Sequence, residues 1–295
     1  MPGEFDFINW IRSQQRASPQ VLLPAGDDLA ILRWDSQDLL LVGIDQVLDG
    51  VHFDSLVHSP RQIGRKVMNR NLSDCAAMGC LPAAAVAAVA LPQGTSLQYA
   101  QELYLGLRDA ADQFDCAIVG GDTATWPNKL ALSVAILGRT AGVKPITRAG
   151  AKPGDAIFVT GPLGGSILAR HMTFQPRISL GRALAQSGNV TAMIDISDGL
   201  SRDLRHICEQ SGVGAIIEAE HLPIHPDALE LSRRDHLPAL DHALHDGEDH
   251  ELLFTCRDAC AMGICIGRIV EGHAIQLQSK DALAPLEPKG WEHKL

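Results

Sequence analysis

A chain of 295 residues with 46% hydrophobic content can bury a sizeable core and is long enough for two domains, but with 4% aromatics that core must rest on Ala, Val, Ile and Leu. A formal net charge of −10 excludes a general nucleic-acid surface, which needs clustered Lys and Arg, and an anionic ligand would have to be bridged to this much carboxylate by cations. The start lacks the basic and apolar regions of a secretory signal, and the apolar tract Ala83 to Leu91 is far shorter than the roughly 20 residues a bilayer needs, so a soluble, cytoplasmic chain with no membrane contact is expected.

In chain order, Phe5, Ile8 and Ile11 predict an amphipathic helix over residues 5–15. Leu29 to Leu32 and Leu39 to Ile44 read as strands, the second delivering Asp45 at its end, and residues 50–53 as a loop or strand start. Pro60 suits a helix N-terminus, and Val67, Asn71, Asp74 and Met78 recur at helical spacing, with Pro82 as the stop. The Ala/Val tract then reads as a buried strand, followed by a helix carrying Leu103, Leu107, Ala110 and Phe114. A strand over residues 116–119 stops at Gly120-Gly121-Asp122-Thr123, and another covers residues 130–137.

Residues 139–155 bring glycine, proline and positive charge without a sustained apolar period, which places a domain boundary there, with domains at 1–140 and 141–295. Beyond it the pattern predicts a strand at 156–160, helices at 164–171 and 178–185, a strand at 191–196 and a helix at 200–210. Further strands are expected at 213–217, 252–255, 264–269 and 274–277. Strands and helices mix in both halves, so the fold class is α/β or α+β. Seven scattered cysteines favour reduced thiols, and the cluster Cys256, Cys260 and Cys265 reads as small buried apolar residues.

The chemistry concentrates in acidic turns. Ile194-Asp195-Ile196-Ser197-Asp198-Gly199 carries two carboxylates and a hydroxyl into a glycine turn, and Gly26-Asp27-Asp28, Asp45, Ser73-Asp74, Gly121-Asp122 and Gly247-Glu248-Asp249 repeat the theme. Separated carboxylates suit hard cations such as Mg²⁺ around a polyphosphate, and phosphoryl transfer is the reaction that gains most from such an arrangement. Glycines at 120–121 and 164–165 let backbone N–H groups approach phosphate. A P-loop, a protein-kinase catalytic loop, a Gly-x-Ser-x-Gly elbow and a His-Glu-x-x-His pair are all missing, so an ATP user here needs a less common fold.

Taken together and in order, Gly26-Asp27-Asp28, Asp45 with Asp49-Gly50-Val51-His52-Phe53, Asn71-Leu72-Ser73-Asp74, Gly120-Gly121-Asp122-Thr123, Asp195-Ile196-Ser197-Asp198-Gly199-Leu200 and Gly247-Glu248-Asp249-His250-Glu251-Leu252 closely resemble the thiamine-monophosphate kinases. The resemblance runs to Lys289-Gly290-Trp291. It implies transfer of the ATP γ-phosphate to thiamine monophosphate by direct in-line attack. It also implies the two-domain fold shared with aminoimidazole ribonucleotide synthetase, in which an N-terminal α/β domain forms a barrel across a homodimer and the C-terminal domain is α+β. By position, the resemblance assigns Asp28, Asp45, Asp74, Asp122, Asp195 and Asp198 to several Mg²⁺ ions. Tyr104, Gly121, Arg148 and Ser197 fall to ATP, and His52, Glu248 and Trp291 to the thiamine phosphate; no side chain is required as a general base.

The chain departs from the family pattern at Gly43-Ile44, where a Ser/Thr pair is usual, at Asp246, where glycine is usual, and in the short segment 165–178. Each residue also has a plainer reading: Asp198 as a cap for the helix at Leu200, Asp74 as a helix-end polar group, His52 as a strand-edge histidine, Tyr104 and Trp291 as packing, Arg148 as a solvated linker charge. The rival functions are another ATP-dependent enzyme of the same superfamily and a nucleotide- or thiamine-phosphate-binding protein that has lost catalysis.

Overall fold

The computed structural model describes residues 18–292 apart from 20, 25, 35–37, 258–259 and 281, so the helix expected over residues 5–15 lies outside the described residues. The first half builds a six-stranded sheet in the order β1(Val21–Leu23), β2(Ala30–Arg33), β3(Leu39–Leu48), β6(Ala131–Arg139), β4(Leu81–Pro92), β5(Ala117–Trp126). Its neighbours are antiparallel except the parallel pair β4 and β5.

Helices α1(Pro60–Ala77) and α2(Leu97–Asp112) cover one face. Ser59 starts α1 with a reciprocal capping box: the Gln62 N–H donates to its side chain, and its own N–H donates to Gln62 Oε1 at 2.9 Å. The helices cross at two glycines, since a Cβ at Gly64 would stand 2.0 Å from the Leu103 carbonyl oxygen and one at Gly106 2.0 Å from that of Arg61.

The second half forms a seven-stranded sheet in the order β13(Ala282–Pro285), β12(Ile275–Ser279), β9(Gly214–Glu218), β11(Ile264–Val270), β7(Ala156–Val159), β10(Leu252–Cys256), β8(Val190–Asp195). Four helices accompany it: α3(Ile178–Ser187), α4(Leu200–Ser211), α5(Pro226–Asp235) and α6(Ala239–His245). One buried cluster runs from the first sheet through α1 into Phe158, Met193, Leu252 and Phe254, so a single apolar core spans both halves. A second cluster lies within the C-terminal half alone. The α/β to α+β expectation holds, and among the described residues no helix is long and apolar enough to cross a membrane.

Several elements differ from their expected extent. β3 continues past Asp45 to Leu48, and β5 runs straight through Gly120-Gly121-Asp122-Thr123 to Trp126, because strand pairing with β6 and β4 supplies hydrogen bonds the local sequence does not advertise. α1 ends at Ala77, ahead of Gly79 in the left-handed region (φ 64), and Pro82 lies inside β4. β4 is mostly half-buried, because one face of its sheet is open. Residues 164–171 form two 3-10 turns, Ser166–Leu168 and Arg170–Met172, rather than a helix. α5 and α6 were not foreseen. Of the three clustered cysteines, Cys256 is buried, Cys260 half-buried and Cys265 exposed.

Candidate functional site

Three carboxylates from three elements converge where the halves meet. β8 ends on Asp195, α1 carries Asp74 in its last turn, and the turn before β2 carries Asp28; their nearest oxygens all lie within 4.8 Å of one another. Asp195 is fixed from both halves, accepting the Ser73 hydroxyl at 2.5 Å and lying 3.2 Å from His250 Nδ1. His250 stacks on Phe174 with ring centroids 3.8 Å apart.

Burial raises Asp28, to about 7, with Arg148 opposing the shift. Burial likewise drives Asp74 well up, reinforced by the charges of Asp45, Asp195 and Asp28. Asp195 is buried too, but the hydrogen bond and charge of His250, with the Ser73 hydroxyl, hold it below the usual range. Acids pushed up by burial and by one another are acids short of positive charge. A donor set made only of carboxylate oxygens fits a hard cation such as Mg²⁺.

Arg148 is no solvated linker charge. Its guanidinium reaches Asp28 through Nε at 3.2 Å and Nη2 at 3.1 Å, while its backbone N–H donates to Asp27 Oδ2 at 2.9 Å.

A second group, Asp198, Asp203 and His206, also has ligand atoms within 4.8 Å of one another. Here the capping reading of Asp198 gives way. The carboxylate at the start of α4 belongs to Asp203, whose Oδ2 accepts the N–H groups of Asp198 and Gly199 at 3.1 Å each. The Asp198 backbone carbonyl accepts the Trp291 N–H at 2.9 Å, which seats the half-exposed indole residue beside this loop.

A third group surrounds Glu248, whose backbone sits in the left-handed region (φ 61). Lys66, with a fully buried side chain, holds its carboxylate at 2.8 Å, and Arg70 Nη1 holds it at 3.0 Å while Arg70 Nε lies 3.4 Å from Asp45. Burial lowers Lys66 to about 8 against the attraction of Glu248. Glu248 itself is pulled below the usual range, because Lys66 and Arg70 outweigh the effect of its burial. The Glu248 N–H donates to the Ser197 carbonyl at 2.7 Å, so Ser197 lies between Asp195 and Glu248.

Four of the expected residues stand apart from these groups. Asp122 is exposed on β5 in register with Ala88, on the sheet face that carries Val86 and Ile44, opposite to the face of Asp45. Gly121 packs tightly on β4: a Cβ there would stand 2.0 Å from the Ala87 carbonyl oxygen. Tyr104 is 49% exposed on α2. His52 Nδ1 accepts the Leu48 N–H at 3.1 Å in the turn after β3.

The N–H groups of Gly164 and Gly165 already have carboxylate partners, Asp249 at 2.9 Å and Asp246 at 2.8 Å. The unusual acid at 246 therefore ties down the glycine segment expected to greet phosphate. Sequence reasoning passed over Lys66, Arg70, Asp203 and His250. Lys66 and Arg70 stand eight and four residues before Asp74, the helical spacing of a shared face, so a period count started from Asp74 finds both.

The AIR synthase related protein N-terminal domain matches residues 26–140, and the AIR synthase related protein C-terminal domain matches residues 152–260. A thiamine-monophosphate kinase of Rhodopirellula baltica is 43% identical over 258 residues, covering 85% of this chain and 81% of its own length. One of Aquifex aeolicus is 31% identical over 315 residues, covering 99% and 98%. Among solved structures, one described as AaThiL complexed with AMPPCP and TMP superposes with a TM-score of 0.87 at 30% identity, covering 99% of this chain and 97% of the other.

Proposed function

Because the chain belongs to the thiamine-monophosphate kinase family, we propose that it transfers the γ-phosphate of ATP to the phosphate of thiamine monophosphate, releasing thiamine diphosphate and ADP. The observation that carries this reading is the meeting of Asp28, Asp74 and Asp195 from both halves of the chain. The acceptor oxygen is already ionised at neutral pH, so the residues around it act by positioning rather than as a general base, and the transfer is in-line.

Asp28, Asp74 and Asp195 would hold Mg²⁺ at the centre. Asp45 and Asp198 would complete the set when substrates arrive, and Asp122, on the other face of its sheet, would serve a site only through a second copy. Mg²⁺ held there supplies positive charge that offsets repulsion between the two phosphate anions. Arg148 keeps Asp28 in place and presents permanent positive charge to the nucleotide, with Ser197, Tyr104 and Gly121 as its further contacts. Glu248, His52 and Trp291 take the thiamine end, where an exposed indole suits a flat cationic ring.

The homodimer belongs to the same proposal. The first sheet leaves Ile44 (68% exposed), Val86 and Val119 uncovered on its outer side, and β5 is a ten-residue edge strand. A second copy placed there would close the sheets into a shared barrel and bring Asp122 toward a partner.

Incubation with ATP, Mg²⁺ and thiamine monophosphate, followed by chromatography, is expected to yield thiamine diphosphate. The substitution of hydroxyl residues by Gly43-Ile44 favours one rival, a binding protein without turnover. Saturable binding of both ligands with no product would decide for it.

A further inference from the structure

One guanidinium stands among four carboxylates. Arg70 Nη1 lies 3.0 Å from Glu248 Oε1 and Nε 3.4 Å from Asp45 Oδ2, with the arginine side chain 15% exposed. It also experiences the negative charges of Asp74 and Asp198. One helical turn earlier, Lys66 secures Glu248 from a wholly buried position. An acid of the first sheet and an acid of the C-terminal half are thus joined through a cation that cannot exchange or deprotonate.

The strand beside Asp45 makes this more telling. A Cβ at Gly43 would meet Leu29 Cδ2 at 2.4 Å, and Ile44 is apolar and 68% exposed, so neither neighbour offers a side-chain oxygen to help complete a cation's shell. A divalent ion at Asp45 would need such oxygens or water, and it would have to displace a guanidinium already bonded to two carboxylates. Mutual repulsion between Asp45 and Glu248 is instead relieved at any ion concentration.

We propose that Arg70 is a resident counter-ion occupying the seat of a divalent ion between Asp45 and Glu248, so that the substrate-free chain holds divalent ions at Asp28, Asp74 and Asp195 but none at Asp45. The inference rests on the reading of that trio as a metal site and is independent of the transfer reaction.

Mn²⁺ titrated into the full chain without nucleotide, with free Mn²⁺ counted by electron paramagnetic resonance, tests it. Arg70→Met is expected to bind one more Mn²⁺ per chain than the unaltered protein. Arg70→Lys should match the unaltered protein, and Arg70→Met combined with Asp45→Asn should lose the added ion. Equal counts for Arg70→Met and the unaltered chain overturn the proposal. Should Arg70→Met fail to melt cooperatively, Asp45→Asn alone decides: an unchanged count supports the proposal, and loss of an ion overturns it. A chain that shows this pattern but forms no thiamine diphosphate keeps the inference and loses the kinase reading.

Discussion

Asp74 and Asp195 carry a heavy chemical demand, because both face Asp28, each comes from a different half, and Asp195 is buried while Asp74 is half-buried. Asp195→Asn or Asp74→Asn is expected to lower turnover on the order of 100-fold or more at saturating Mg²⁺, because losing a ligand oxygen should cost at least as much as losing the partner that orients it. Near-normal turnover in steady-state assays would sink the multi-metal reading. Lys66 carries a demand of another kind. With no exposed side-chain surface it holds Glu248, and Lys66→Met leaves that acid with Arg70 alone. A loss of about 3 kcal/mol in urea unfolding is expected, the lower end for breaking a buried pair, because one partner remains.

At the scale of elements, the two glycines of β5 have different duties despite being neighbours. A Cβ at Gly121 would stand 2.0 Å from the backbone of β4, whereas one at Gly120 meets nothing within 4 Å. Gly121→Ala should therefore cost about 1–3 kcal/mol by forcing the parallel pair apart, and Gly120→Ala should be close to neutral. Equal melting temperatures for the two variants would show that β5 does not depend on its contact with β4. α1 is the element that gathers the site. Its apolar face joins the core, and Lys66, Arg70, Ser73 and Asp74 lie along the side turned to the C-terminal half.

For the molecule as a whole, acid crowding links pH to cation binding. Burial raises Asp28 to about 7, so its contribution to stability is present below its unfolded value and is lost as pH rises through about 7. A divalent cation relieves that loss and competes with the proton for the same oxygen. The rise in melting temperature on adding Mg²⁺ should therefore be larger at pH 8 than at pH 6; an equal rise at both would contradict a site built on Asp28. The proposed dimer is tested on the open sheet face: Val86→Arg, at a position 40% exposed, should convert a dimer to a monomer in light scattering without loss of cooperative unfolding.

The sequence alone determined the types of most elements, because apolar periodicity and punctuation by Pro and Gly are local signals. α1 starts at Pro60, β8 and α4 flank the Asp195 loop, and the acidic turns stand out as strings of letters. The ordered set of those turns was enough to suggest the family. Only the tertiary structure decided which acids meet. Asp28, Asp74 and Asp195 converge over 167 residues of chain, while Asp122, equally plain as a motif, stands on the opposite face of the first sheet from Asp45. Strand register assigns a side chain to one face or the other, and register is set by pairing partners far away in sequence. The cations Lys66 and Arg70 were hidden for the same reason: on a helix they read as solvated charge until Glu248, 178 residues beyond Arg70, is folded against them.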